Sequence, residues 1–172
     1  MGVSGSGKTV IGQALAARLG WAFEDADDWH PAANVEKMRS GHPLTDEDRK
    51  PWLHALNVAI QGWVASGKNV ALACSALKEW YRDILRDGVK DASAVRFIYL
   101  KGTYDEINPR LEHRQGHFMP ESLLKSQFEA LEEPPASEAL QIPVRLSIDD
   151  AVEAIIAGLH LDASRPSSAH TS

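Results

Sequence analysis

A single cysteine, Cys74, stands in a chain of 172 residues, which excludes an intramolecular disulfide and a cysteine-built zinc site. Such thrift with cysteine fits a reducing compartment, so the expected location is the cytoplasm. No run approaches the roughly 20 apolar residues of a membrane span, and no signal-peptide pattern opens the chain. Basic residues are the minority, 18 against 24 acidic, and the net charge of −6 argues against a broad nucleic-acid surface. There is no internal repeat and no long polar tract. With 44% hydrophobic residues the body of the chain is expected to fold, as one domain over residues 1–161. Only the Ser/Pro/Ala/His-rich segment 162–172 reads as a disordered tail.

What is present is an alternation of helices and strands. A helix is expected from about Gly7 to Leu19, closed by Gly20, then a short strand over Trp21–Glu24. A short helix over Ala33–Ser40 ends at Gly41-His42-Pro43. Thr45 reads as an N-cap, with Asp48 three residues on as a variant capping box, and a long helix follows to Gly67. Val70–Cys74 and Val95–Leu100 have the unbroken apolar character of buried parallel strands. Helices are expected over Trp80–Arg86, Tyr104–Arg114 and Leu123–Leu131. A last strand over Val144–Ile148 and a last helix over Asp149–Leu161 complete the pattern, which is that of an α/β domain with a mainly parallel sheet.

The segment Gly2-Val-Ser4-Gly5-Ser6-Gly7-Lys8-Thr9 fits the phosphate-binding pattern G-x-x-x-x-G-K-[ST] completely. Its glycines let consecutive backbone N–H groups face a phosphate, and the helix behind adds its positive end. Lys8 is placed to reach the β- and γ-phosphates, and the Thr9 hydroxyl to ligate Mg²⁺. A metal-directed carboxylate would normally end a buried strand, yet Val70–Cys74 runs into Cys74-Ser75. Asp25, at the end of the first strand, is the best candidate instead. Beyond it Asp27, Asp28 and His30 gather where open α/β sheets bind ligands, although an acidic loop capping the next helix is an ordinary account of the same residues.

Taken together, the motifs resemble those of gluconokinases. They include Gly2–Lys8, Asp25-Ala-Asp27…His30-Pro31, Asn34–Met38, Asp46-Glu-Asp-Arg49-Lys-Pro-Trp52, Cys74–Lys78…Tyr81-Arg82, Arg110-Leu…Arg114…His117-Phe118 and Gln127-Phe…Leu131-Glu-Glu-Pro134. The resemblance covers roughly residues 2–160. It implies ATP- and Mg²⁺-dependent phosphorylation of D-gluconate at its 6-hydroxyl, on the fold shared with shikimate and nucleoside-monophosphate kinases, and suggests a homodimer. It further implies an acceptor-binding region over about 25–67 and a lid over about 115–122. Asp27 is the expected residue to orient or deprotonate the acceptor hydroxyl, with Asp25 on the Mg²⁺ side. Arg49, Lys78, Arg82, His30 and the lid residue His117 are candidate acceptor ligands. Arg49 equally reads as a solvated first-turn charge, and Lys78 or Arg82 as half of a surface ion pair. Arg110 and Arg114, four apart on one helix face, are assigned to the adenine and the phosphates respectively. Pairing with Glu106 and Glu112 is the competing account. Trp52 and Trp63 read as core, while Trp29 stays open.

In this fold the sheet order is expected to be 2-3-1-4-5, with the strand entering the phosphate loop at the centre. Here that loop begins at residue 2, so the central strand is the one absent from the pattern, and a misplaced start codon or truncated form is expected. Another small-molecule kinase of the same fold and a catalytically silent nucleotide-binding module are the alternative functions.

Overall fold

The computed structural model describes residues 1–112 and 121–161. Helix α1 (Lys8–Leu19) leaves the phosphate loop and leads into β1 (Ala22–Asp25), a 3₁₀ turn (Ala26–Trp29), α2 (Ala32–Arg39) and α3 (Asp46–Ala65). Then come β2 (Val70–Ala73), α4 (Glu79–Arg86), a second 3₁₀ turn (Ala92–Ala94), β3 (Phe97–Lys101), α5 (Tyr104–Glu112), α6 (Glu121–Ala130), β4 (Ala139–Pro143) and α7 (Ile148–Leu159). The expected capping box is present: the Thr45 side chain accepts from the Asp48 N–H, and the Asp48 carboxylate accepts from the Thr45 N–H at 2.7 Å. Two first-turn donors are thereby satisfied and α3 starts at a defined residue.

One strand lies earlier than its apolar pattern suggests. Val144–Ile148 is not a strand; β4 occupies Ala139–Pro143. Ser147 accepts from the Asp150 N–H as an N-cap, which draws Ile148 into α7 and leaves Val144 and Leu146 in the turn.

β1 pairs in parallel with β2, and β3 with β4. These two ribbons stand in the order β1-β2 and β3-β4, matching the outer positions of the expected sheet. Among the described residues, the backbone of residues 1 and 2 bridges the two ribbons. Leu100 N–H donates to the Met1 carbonyl at 3.0 Å, the Met1 amine donates to the Ile98 carbonyl, and Gly2 N–H donates to the Ser75 carbonyl at 3.1 Å. Below that junction β2 and β3 diverge around a cavity of about 410 Å³.

Side chains alternate across the strands into two apolar cores, which gives three layers. Leu100 and Ile142 join Leu15 and Leu19 of α1 and Val152 and Ile155 of α7. On the other face Leu72, Cys74 and Phe97 pack with Trp52, Leu53 and Leu56 of α3 and Tyr81 and Leu85 of α4. Trp52 belongs to this core as expected, and Trp29 meets Trp63 edge-on at 6.1 Å between ring centroids.

Candidate active site

The phosphate loop turns between Gly2 and α1 with φ of +78° at Gly5 and +96° at Gly7, a region that side-chain-bearing residues rarely enter. At Gly5 a Cβ would also fall 2.7 Å from the Leu111 side chain, so α5 seats directly on the loop. Ser6 is fully buried, and its hydroxyl has no protein partner. An orphaned buried hydroxyl in a glycine-rich turn just ahead of a helix N-terminus suits a loop shaped for an oxyanion. Lys8 Nζ donates to the Val3 carbonyl at 2.9 Å, folded over the loop it is expected to serve.

The two groups expected on the metal side meet. Thr9 Oγ1 donates to Asp25 Oδ2 at 3.0 Å, so the end of β1 faces the first turn of α1. The other Asp25 oxygen accepts from the Asp27 N–H at 3.1 Å and caps the 3₁₀ turn that presents Asp27. That turn is pinned from below by Trp52 Nε1, which donates to the Ala26 carbonyl at 2.7 Å. Local desolvation raises the Asp27 pKa above the ordinary carboxylate value. Repulsion from Asp25 and Asp28 adds to this, outweighing the pull of His30 and Lys8.

His30 stacks on Trp52 with ring centroids 4.3 Å apart and 17° between planes. Burial, with Arg49 nearby, lowers its pKa against the attraction of Asp27, so the ring favours its neutral form. Asn34, itself buried, donates to the Asp48 carbonyl at 2.9 Å and lies 3.4 Å from His30 Nδ1.

Further along the cleft, α3 and α4 meet through a polar cluster. Asp46 accepts from Lys78 Nζ at 2.7 Å and from the Tyr81 hydroxyl at 2.6 Å, with Arg49 3.9 Å from the same carboxylate. The Lys78 and Tyr81 hydrogen bonds hold the Asp46 carboxyl below its usual range. Arg49 and Lys78 lie 5.9 and 5.8 Å from the Tyr81 ring centre, both within cation–π reach. Two cations around one carboxylate leave this cluster net positive.

Arg82, expected among the acceptor ligands, lies apart from that cluster. It is 1% exposed and its donors are spent on protein. Nε and one terminal nitrogen hold Glu138 at 2.8 and 3.2 Å, and the other bonds the carbonyls of Ala76, Leu77 and Glu132. Arg110 donates to the Val144 carbonyl at 2.8 Å, which sets it beside the end of β4 rather than in pairing with Glu106. Arg114 and His117, with residues 115–120 of the expected lid over about 115–122, lie outside the described residues, as does the tail 162–172.

Two residues without an assigned role emerge from the structure. Gln127 of α6 grips the phosphate loop: its carbonyl accepts from Ser4 N–H at 2.7 Å and its amide donates to Ser4 Oγ at 3.0 Å. Asp46 organises Lys78 and Tyr81. Both stand inside family-like motifs, but their partners lie 123, 32 and 35 residues away, beyond the reach of local spacing.

A family model described as an AAA domain matches residues 1–134. The chain is 52% identical over 149 residues to the thermosensitive gluconokinase of Escherichia coli K12, covering 87% of this chain and 77% of that one. It is 48% identical to the thermoresistant gluconokinase of the same organism, covering 91% and 87%. Among solved structures, a gluconokinase from Sinorhizobium meliloti superposes with a TM-score of 0.81 at 42% identity, over 93% of this chain and 89% of that one. With these likenesses spanning the phosphate loop, the Asp27 turn and the α3–α4 cluster alike, the chain belongs to the gluconokinase family of P-loop kinases.

Proposed function

We propose that this protein transfers the γ-phosphoryl group of ATP to the 6-hydroxyl of D-gluconate, giving ADP and 6-phospho-D-gluconate. The observation that carries the reading is the row of groups leading away from the phosphate loop. It runs from Asp27 through His30 to Arg49 and Lys78, in a chain of this family. A linear sugar acid has a hydroxyl at one end and a carboxylate at the other. The row offers a carboxyl beside the phosphate loop and a net positive cluster at its far end. Neutral His30 suits the hydroxyls between them.

Asp27 accepts the proton of the 6-hydroxyl as its oxygen bonds to the γ-phosphorus and the bond to the β-phosphate oxygen breaks. Its raised pKa makes it a better proton acceptor than an ordinary surface aspartate. Lys8 and the loop N–H groups hold the phosphates in line. Transfer of this kind is mainly positioning and charge neutralisation. Arg110 lies on the adenine side, and Arg114 and His117 are assigned to the phosphates and the acceptor.

The Thr9–Asp25 pair suits Mg²⁺, a hard cation served by a hydroxyl and a carboxylate. Among the described residues no three His, Cys, Asp or Glu side chains converge, in keeping with an ion that keeps much of its shell as water and phosphate. When bound, Mg²⁺ neutralises charge on the β- and γ-phosphate oxygens.

A coupled assay offering gluconate, shikimate and AMP tests the reading. Turnover is expected with gluconate alone; turnover with shikimate and none with gluconate overturns it. Asp27→Asn is expected to cut kcat by about 10²- to 10⁴-fold while ATP affinity is retained.

A further inference from the structure

His30 closes the 3₁₀ turn that presents Asp27, and the residue after it is proline. Pro31 keeps His30 extended, with φ of −66° and ψ of 134°, and caps α2, whose first turn carries Asn34. The imidazole is held on two sides. Trp52 covers one face with ring centroids 4.3 Å apart, and the side-chain nitrogen of Asn34 stands 3.4 Å from Nδ1. Asn34 is buried, where polar side chains need partners, and its backbone N–H donates to the Pro31 carbonyl at 2.9 Å.

Counting donors orients the Asn34 amide. Its nitrogen carries two N–H groups and its oxygen only accepts. The backbone carbonyl of Asp48 also only accepts, and Asn34 Nδ2 donates to it at 2.9 Å. The amide nitrogen is therefore the atom turned toward the start of α3. Its second N–H has His30 Nδ1 as neighbour. Nδ1 can receive that hydrogen only with its lone pair, since a protonated Nδ1 would set N–H against N–H. A neutral ring then carries its proton on Nε2. Neutrality has a separate cause. Burial, with Arg49 of α3 nearby, lowers the His30 pKa against the attraction of Asp27 from the 3₁₀ turn. Beyond Asn34, the Lys37 and Asp48 side chains of α2 and α3 pair with each other at 2.6 Å.

We propose that Asn34 is a positioning residue that locks His30 in its Nε2–H tautomer, so that the ring donates a hydrogen bond to a hydroxyl oxygen of the acceptor and takes no proton from it. The tautomer follows from this chain's own contacts; its use toward gluconate rests on the function proposed above. The lock removes the imidazole as a rival to Asp27 for the proton of the 6-hydroxyl. It also gives the middle of the row a fixed donor, where an unlocked ring would offer a donor or an acceptor at the same place.

The test reads both ring nitrogens of His30 by long-range proton–nitrogen correlation in the full chain, at about pH 8, where an imidazole is neutral. The His30 signals are identified by their loss in His30→Gln. The unmutated chain is expected to show a bare Nδ1 and a protonated Nε2. Asn34→Asp puts a carboxylate where the donor was, and is expected to draw the proton to Nδ1 and to raise the midpoint of the His30 titration. An amide that merely braces α2 against α3 would not move a proton between the two nitrogens when replaced. Asn34→Leu keeps the bulk without the donor, and is expected to raise the gluconate KM about three- to tenfold, the worth of one hydrogen bond, with the ATP KM unchanged. A proton on Nδ1 of the unmutated chain overturns the proposal even if neither variant folds. So does a folded Asn34→Asp chain that keeps its proton on Nε2, or an Asn34→Leu chain in which both KM values rise equally. The expected tautomer in a chain that does not turn over gluconate would support the Asn34 assignment and count against the proposed acceptor instead.

Discussion

Met1 carries a titration that stability measurements can isolate. Its amine donates to the Ile98 carbonyl in a buried position, and desolvation, helped by Lys8, lowers its pKa from 8.0 to about 5. The unfolded chain binds this proton below pH 8 and the folded chain only below about pH 5. Between those values the unfolded state holds more protons, so stability rises with pH. Full displacement corresponds to about 4 kcal/mol, at 1.36 kcal/mol for each tenfold step. The single group thus costs the folded state little at pH 8 and progressively more as pH falls, approaching about 4 kcal/mol near pH 5.

Acetylation of the Met1 nitrogen removes the titration and keeps the N–H that bonds to Ile98. Urea unfolding of the free and acetylated chains at pH 5, 6, 7 and 8 reports the difference directly, since the two forms differ only at that nitrogen. The acetylated form is expected to be more stable by an amount that grows in that sequence as pH falls. Total stability of a domain is typically about 5–15 kcal/mol, so at pH 5 the gap is a large share of it. A difference that stays constant across the four pH values refutes the reasoning. It would mean that the amine remains hydrated and charged in the folded chain.

Arg82→Ala is expected to destabilise by about 3 kcal/mol in chemical denaturation, because it leaves the nearly buried Glu138 only Arg86, at 3.5 Å, and frees three carbonyls. An unchanged unfolding midpoint with a raised gluconate KM would instead restore Arg82 as an acceptor ligand. Gln127→Leu removes both bonds to Ser4, about 1.5 kcal/mol in total, and is expected to raise the ATP KM roughly tenfold with kcat little changed. The kcat/KM for gluconate is expected to fall as pH drops through a value above the ordinary carboxylate range, following the raised Asp27 pKa, whereas a midpoint near 4 would refute that assignment. The Asp48 carboxyl is depressed to about 2 by Lys37 and by the Thr45 backbone and side chain. Its contribution to stability is present above the unfolded carboxylate pKa and lost as pH falls toward 2; Asp48→Asn should flatten that limb of an acid titration.

Features set by neighbours in sequence were the legible ones. The phosphate loop, the Thr45–Asp48 box and the Gly20 stop depend on residues within a few positions, and each stands where its local chemistry puts it. Thr9 and Asp25 were also readable as a pair, since a short helix and strand must return the chain to the loop. Val144–Ile148 misled because an apolar alternation was outweighed by a cap: Ser147 with Asp150 offers a helix start. The surroundings of Arg82 were hidden for a different reason. Beside Asp83 on a short amphipathic helix it looks like a surface charge or a ligand, and only the fold brings Glu138, 56 residues on, against it. The same distance effect hid the link from Asp46 to Lys78 and Tyr81, which decides which cations of the acceptor end are held in place.

The split in the sheet and the chemistry of the site occupy opposite ends of the same strands. Asp25 at the end of β1, Ser75 just past β2 and Leu100 near the end of β3 all lie at the carboxyl edge. There Met1 and Gly2 bridge the two ribbons, and the phosphate loop leaves directly from that bridge. The cavity begins below it, toward the amino ends of β2 and β3, where no site residue apart from Lys8 reaches its wall. Loosening the bonds of Met1 and Gly2 at the carboxyl edge would therefore act on the phosphate loop as well as on the sheet. Substituting Gly2, whose added Cβ would fall 3.0 Å from both the Leu100 carbonyl and the buried Ser6 hydroxyl, strains bridge and phosphate loop together. That one position couples the architecture of the sheet to the binding of phosphate.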